Sequence, residues 1–419
     1  MQYEQIIEDI FRRHPSVQNA GFKTGAYKSG IEAMCRFDAL LGNPWKSYPC
    51  IHVAGTNGKG SVSSLLASNL AVSRKCKIGL FSSPHLLDFR ERIKLIDGRD
   101  EAHFEVIDKA SVLEFIEKYN KEISGLSFFE ICTGMALWWF QRQGVGAAVI
   151  EVGLGGRLDS TNVIEGELAV ISSIGLDHCE LLGDSREKIA FEKAGIFKKG
   201  KKALLWGHDT DCDQVFKDVA EQKGAELFYA DDLIKTLPEL EMDLKGEYQK
   251  ANLKSVLAAL KLLGETPDRG ALEHCARISG LRGRWEILSD KPLTICDIGH
   301  NPAALRYNFK QLESYRKKMH IVYGIMADKA LEDIAPLMPE QASYYLCAPK
   351  GSRAMKVPEL YKRLRKARPE LQLLTSGDGS VKAALKAARE MAGEDEVIYI
   401  GGSTFVVAEA LEDRVGGKH

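Results

Sequence analysis

The segment HVAGTNGKGS (His52–Ser61) brings three glycines, a lysine and two hydroxyls together. Gly55, Gly58 and Gly60 let the backbone curl so that several N–H groups face one anion, and a helix starting there adds its partial positive charge. Lys59 is then placed to meet the β/γ oxygens of a nucleotide, and a hydroxyl, from Thr56 or Ser61, to approach Mg2+. The loop Gly55-Thr56-Asn57-Gly58-Lys59-Gly60-Ser61 is shorter than G-x-x-x-x-G-K-[ST], and Gly60 separates Lys59 from Ser61. It therefore points away from the common kinase and GTPase classes. A turn that needs glycine only for chirality leaves the lysine after a strand unexplained, so nucleotide phosphate binding is the reading.

Three further segments carry oxygen or nitrogen donors. Glu151 follows the apolar run AAVI and opens EVGLGGRLD, which puts a carboxylate at the C-terminal end of a buried strand. Parallel α/β sheets place their ligands there, and a carboxylate beside a triphosphate suits Mg2+ better than it suits a solvated strand end. Asp177-His178 ends the next apolar run at an equivalent position, although a single histidine is more often structural than a magnesium ligand. Ser83 in SPHL follows a third strand and brings a hydroxyl to the same rim. Glu192-Lys193-Ala194-Gly195 closes a helix, and the chemistry alone favours a lysine complementing the helix dipole ahead of a glycine cap.

The elements that must position these groups are short β-rich runs alternating with helical stretches, the pattern of a parallel α/β sheet. Strands are expected at Cys50–Ala54, Lys77–Phe81, Ala147–Val152, Leu168–Ile174 and Lys202–Trp206. Helices are expected at Ser61–Ser73, His103–Tyr119, Phe128–Gln143, Ser185–Ala194 and Cys212–Lys223, with another from Glu247 to Leu263. Leu281-Arg282-Gly283-Arg284 reads as a hinge, after which the alternation restarts. The fold class is α/β: an N-terminal nucleotide-binding domain over residues 1–279 with a mostly parallel sheet, and a smaller Rossmann-like domain over residues 280–419. At 419 residues, 45% hydrophobic and 27% charged, the chain is long enough for two cores and too apolar for general disorder.

A formal net charge of −1 gives no support for a nucleic-acid or anionic-membrane surface. The N-terminal MQYEQIIEDIFRRH carries acids and lacks a secretory pattern, and the apolar stretch near 126–140 is broken by Glu130 and Thr133. Nine scattered cysteines without a CxxC pair fit reduced core thiols. The expectation is a cytoplasmic protein with no nucleic-acid or membrane partner.

Taken together the segments resemble the folylpolyglutamate synthase / dihydrofolate synthase family, a branch of the Mur ligase superfamily. The resemblance rests on HVAGTNGKGSV (52–62), SSPHL and ERI (82–86, 91–93), SFFE (127–130), EVGLGGRLDSTNVI (151–164), GLDHCELLGDSREKIAFEKAGIFK (175–198), GEYQKANLKSV (246–256), RGRWE (282–286) and DIGHNPAAL (297–305). Two departures stand out. Ile298-Gly299 replaces the usual Gly-Ala before His300, and Arg282 stands where a proline usually precedes Gly-Arg.

The resemblance implies an ATP-dependent ligase with Mur ligase architecture that adds L-glutamate to dihydropteroate, forming dihydrofolate, or to the polyglutamate tail of tetrahydrofolate, or both. Ser83, Glu151 and His178 would hold magnesium. Lys193 would be the carbamylated lysine that holds a second Mg2+, and a monovalent cation belongs to the same expectation. Asn252, Arg284 and Asp297 would contact ATP from the side opposite the phosphate loop, and ATP would lie between domains whose closure assembles the site. His300 would orient or deprotonate the incoming amine. Phe128, Phe129, Glu130, Leu158, Asp159 and Ser160 correspond to places that hold the pterin, although aromatic residues opening an apolar helix are commonly core. A bifunctional monomer is expected. The nearest rival is a Mur-type ligase of cell-wall precursors; a nucleotide-hydrolysing switch is the rival of a different class.

Overall fold

The structure, a computed structural model, describes residues 3–15 and 30–416. It divides into two compact units. Unit 1 takes the chain up to Asp243 and again from Gln249 to Leu281; unit 2 takes Leu244–Tyr248 and everything from Arg282 onward. The division after Leu281 falls inside the hinge read from sequence, whereas the strip Leu244–Tyr248 goes with unit 2 although the sequence reading places it in the N-terminal domain.

Unit 1 is built on an eight-stranded sheet in the order β4-β3-β2-β5-β1-β6-β7-β8. These are β1 Cys50–Ala54, β2 Lys77–Phe81, β3 Ile93–Asp97, β4 His103–Val106, β5 Ala147–Glu151, β6 Leu168–Ile171, β7 Lys202–Leu205 and β8 Glu226–Tyr229. All pairings are parallel except β2 with β3 and β3 with β4. Every residue of β1 and β5 is buried, as expected of strands with helices on both faces. The helix Lys59–Arg74 leaves β1 and is buried along most of its length, packed against the helices Gln249–Leu263 and Cys275–Ser279.

The order of strands decides the site. β2, β5, β1 and β6 are consecutive neighbours running in one direction, so the segments that follow them emerge side by side at one edge. Those segments carry Ser83, Glu151, the glycine loop and Asp177-His178. The connection leaving β1 crosses to β2 on one side and the one leaving its neighbour β5 crosses to β6 on the other, and open α/β sheets bind ligands where connections diverge in this way.

Unit 2 has a six-stranded sheet in the order β13-β12-β11-β14-β10-β9, parallel except for the β9–β10 pair. The strands are β9 Glu286–Asp290, β10 Leu293–Cys296, β11 Met319–Tyr323, β12 Ala342–Leu346, β13 Gln372–Thr375 and β14 Val397–Gly401. Its core gathers Trp285, Phe309, Tyr323, Tyr344 and Tyr399 with aliphatic residues from the strands and helices.

One sequence expectation fails locally. Residues 103–119 are not one helix: His103–Val106 forms the edge strand β4 against β3, and the helix runs only over Lys109–Lys118. Asp108 starts that helix by accepting the Ser111 N–H, a cap that a helix passing through this point could not use. Strands β3, β4, β8, β9 and β13 were not anticipated: each is four or five residues long, four of them are sheet edges and the fifth, β3, lies next to one. Among the described residues no helix is long and apolar enough to cross a membrane, and the nine cysteines form no disulfide.

Candidate active site

The phosphate loop is shaped by two glycines with separate duties. Gly58 caps the helix Lys59–Arg74 at φ 85°, a left-handed conformation, and a side chain there would strike Asn252 Oδ1. At Gly55 a Cβ would lie 2.0 Å from Ser172 Oγ. The loop is clamped by residues just past β6. Thr56 N–H donates to Ser173 O at 3.0 Å, Asn57 N–H to Ser173 Oγ at 2.9 Å, and Ser172 Oγ to Asn57 O at 2.6 Å.

The two hydroxyls of the loop are engaged differently. Thr56 Oγ1 donates to Gly175 O and accepts from Gly175 N, both at 3.0 Å, so it is committed to holding the loop. Ser61, on the first turn of the helix, accepts from Gln249 Nε2 at 3.0 Å, and its own hydroxyl proton is the one still to be directed. With the Thr56 and Asn57 amides spent on the clamp, the N–H groups for an anion are those of the helix start, which have no intrahelical acceptor.

Two lysines meet on one carbonyl. Lys59 Nζ folds back to donate to Gly55 O at 3.0 Å and Thr56 O at 3.3 Å, and Lys193 Nζ donates to the same Gly55 O at 3.0 Å. Lys193 is only 4% exposed. Burial, and then the charge of Lys59, push its pKa down to about 7, so near neutral pH much of it is the free amine. The helix-end reading of this lysine is therefore corrected. It points inward to a residue 138 positions earlier, and Gly195, at φ −54°, is not a left-handed cap. Gly195 is required instead because a Cβ would fall 2.3 Å from Arg157.

Glu151 is 2% exposed, and its Oε2 accepts the backbone N–H of Ser83 at 3.2 Å. His178, in the segment that follows β6, sits at φ 54°, its N–H held by Asp177 Oδ1 at 3.0 Å. Among the described residues no three His, Cys, Asp or Glu side chains cluster into a metal cage. A buried carboxylate at a strand end, with the Ser83 backbone bonded to it, fits Mg2+, an ion that takes few protein ligands and completes its shell with water and phosphate oxygens.

In unit 2, Asp297 follows β10 and Arg284 precedes β9. Asp297 is buried and accepts four hydrogen bonds: Gly299 N and Asn308 Nδ2 on Oδ1, Trp285 N and Tyr248 Oη on Oδ2. That uses the lone-pair directions a carboxylate has. The expected direct contact of Asp297 with a nucleotide is narrowed accordingly, and Arg284, half-buried, is the group with donors left to offer. His300, also half-buried, has Nδ1 3.1 Å from Ile298 O and precedes the helix Pro302–Ser314. In unit 1, Asn252 is buried against Gly58 and donates from Nδ2 to Gln249 Oε1 at 2.8 Å.

The pterin set divides. Phe128 is buried: Phe11 stacks on it with centroids 4.8 Å apart, Phe89 meets its edge and Arg92 lies over its ring. Glu130 closes a capping box with Ser127. Asp159 accepts from Leu154 N and from Thr161 N and Oγ1, shaping the glycine-rich loop, and Ser160 Oγ lies 3.2 Å from Thr133 Oγ1. These four serve the fold, which corrects Phe128 as a stacking platform because its ring is already enclosed. Phe129 and Leu158 are only partly buried, and the Phe129 ring rests on Gly153, where a Cβ would be 2.4 Å away.

Residues 53–265 match the Mur ligase middle domain and residues 283–404 the Mur ligase glutamate ligase domain. The dihydrofolate synthase/folylpolyglutamate synthase of Escherichia coli (strain K12) is 33% identical over 412 residues, 93% of each chain. The chain belongs to the dihydrofolate synthase/folylpolyglutamate synthase family. The structure of E. coli FolC in complex with DHPP and ADP superposes with a TM-score of 0.84 at 27% identity, covering 100% of this chain and 99% of that one. The bifunctional folylpolyglutamate synthase/dihydrofolate synthase from Yersinia pestis, complexed with AMPPNP and Mn ion, gives 0.80 at 28% identity, over 94% and 95% of the two chains. Coverage of nearly the whole chain by this branch separates it from the cell-wall ligases.

Within this family member, the sequence reading missed the Ser172–Ser173–Gly175 clamp, Gln249 and the Tyr248–Trp285–Asn308 set around Asp297. Two signals were available. A Ser-Ser-x-Gly run leaves β6 at the strand end nearest the loop, and Gln249 precedes Asn252 by one helical turn.

Proposed function

We propose that the protein is an ATP-dependent ligase that joins L-glutamate to dihydropteroate, giving dihydrofolate, and extends the polyglutamate tail of tetrahydrofolate. The observation that carries this reading is the pair Lys59 and Lys193 converging on the Gly55 carbonyl at the start of a clamped glycine loop, in a chain of this family. A lysine and the first-turn N–H groups at one helix N-terminus are a receptor for a multiply charged phosphate, and the Lys193 amine stands beside that receptor.

In the proposed reaction a substrate carboxylate oxygen attacks the γ-phosphorus of ATP, and the bond to the β–γ bridging oxygen breaks to release ADP. The glutamate amine then attacks the acyl phosphate carbon, loses a proton, and phosphate departs. Lys59 swings from its backbone acceptors to the transferring phosphoryl oxygens, where a preorganised cation stabilises developing charge. Ser61 and the first-turn N–H groups hold the phosphates. Asn252 and Arg284 hold the nucleotide, with Asp297 behind Arg284, and His300 orients the amine. Phe129 and Leu158 offer the pterin an apolar surface.

Ser83, Glu151 and His178 would hold Mg2+, which when bound neutralises phosphate charge. Lys193 has the burial and the neutral fraction needed to add CO2, its amine losing a proton to become a carbamate, an oxygen donor for a second ion. A monovalent cation, a monomeric state and a cytoplasmic location complete the reading.

The test is an assay of purified protein with dihydropteroate and with tetrahydrofolate, each with and without glutamate and ATP. ADP formation that depends on both a pterin acid and glutamate is expected, with amide product in equal amount. ADP release without either would mark a nucleotide switch instead, and activity with only one of the two acids would reduce the reading to a single function.

A further inference from the structure

Trp285 is completely buried and sits at φ 50°, a left-handed conformation that a bulky residue holds only when its surroundings impose it. What imposes it is Asp297, whose Oδ2 accepts the Trp285 N–H at 2.8 Å. Trp285 directly follows Arg284, so the turn at Trp285 sets the direction from which the Arg284 side chain departs. The same Oδ2 accepts the Tyr248 hydroxyl at 2.6 Å, while Asn308 Nδ2 bridges Oδ1 to Tyr399 Oη at 2.8 and 2.9 Å. Tyr248 comes from a strip of chain 49 positions away and, among the described residues, supplies the only hydroxyl donor on this carboxylate.

We propose that Tyr248 is a positioning residue for the ligase reaction: its hydroxyl completes the coordination of Asp297, which locks Trp285 in the turn that aims Arg284. This rests on the reading of Arg284 as a nucleotide-binding residue. Burial, and then the charge of Asp297, raise the phenol well above its ordinary pKa, so it stays a donor throughout the working pH range.

The experiment is an ATP titration of the full-length enzyme at saturating dihydropteroate and glutamate, for Tyr248→Phe, Arg284→Ala and the double variant. Loss of one hydrogen bond to a charged group should raise the ATP KM by roughly threefold to tenfold in Tyr248→Phe, with kcat within about twofold. The double variant should match Arg284→Ala, because a residue that acts through Arg284 has nothing to act on once it is gone. Effects that multiply in the double variant, or an unchanged ATP KM in Tyr248→Phe, overturn the proposal while leaving Arg284 in place. An Arg284→Ala enzyme with ordinary ATP dependence removes the underlying reading instead. Should Tyr248→Phe not fold, Tyr248→His, which keeps an N–H donor, is compared with Tyr248→Leu: an ATP KM near wild type only for histidine supports the role, and equal values for the two overturn it.

Discussion

The phosphate loop of unit 1 and the Asp297 cluster of unit 2 treat charge in opposite ways. At the loop, Lys59 and Lys193 share a single carbonyl oxygen, and among the described residues neither has a carboxylate within ion-pair distance. Around Asp297 one carboxylate has four donors. A buried charge without a counter-charge is unfavourable until a ligand supplies one, whereas a satisfied one rigidifies its neighbours. The first region is built to receive a charge and the second to keep a shape.

The difference can be broken most directly at the loop. Lys59→Ala should lower ADP release and product together by about a thousandfold or more, the loss expected for a preorganised group acting on transition-state charge. Ordinary turnover by that variant would end the contrast. Lys193→Ala should cost on the order of a hundredfold in kcat, with partial recovery when short-chain carboxylic acids are added in steady-state assays. An undiminished rate would return Lys193 to a packing role. On the unit 2 side, Arg284→Ala should raise the ATP KM by about tenfold while kcat changes less, as for loss of a charge-assisted contact made in ground and transition states alike.

A further pair sharpens the division between binding and shape. Phe128→Leu should lower the melting temperature by several degrees, given the roughly 1–3 kcal/mol that loss of a packed ring carries, with the dihydropteroate KM unaltered. Phe129→Leu should do the reverse. Equal behaviour of the two rings would dissolve the distinction.

The smallest effect is a pH dependence in unit 2. The Gly393 N–H, His320 and Lys318 hold the Glu396 carboxyl at about 2, below its ordinary 4.5. A depressed folded-state pKa gives stability that is present above pH 4.5 and is lost as the pH falls toward 2. Glu396→Gln should therefore lower the melting temperature modestly at pH 7, and the gap to wild type should shrink between pH 4.5 and 2 in a series of thermal melts. A gap independent of pH would assign the effect to packing.

Much of this protein was legible because its first site is local. A glycine loop, its lysine and the start of the helix that follows lie within ten consecutive residues, and burial of neighbouring strands makes continuous apolar runs such as AAVI easy to read. The strand ends carrying Glu151 and Asp177 followed from the same runs. The edge strands escaped, since four or five half-exposed residues resemble a helix turn or a loop as closely as a strand. The roles of Lys193, Phe128 and Thr56 were misread or left open for another reason. Each depends on what approaches it from far along the chain: the loop carbonyl of Gly55, the ring of Phe11 and the backbone of Gly175.

Residue types and short spacings determined by themselves the α/β class, the phosphate-binding chemistry and the family. Folding alone decided that four adjacent strand ends share one edge, that Thr56 clamps the loop while Ser61 accepts from Gln249, and that Asp297 holds Tyr248 and Trp285. The physical reason is one of range. Backbone curvature and helix dipoles arise from neighbours in sequence, whereas burial, lone-pair saturation and the shift of a lysine toward neutral pH arise from neighbours in space.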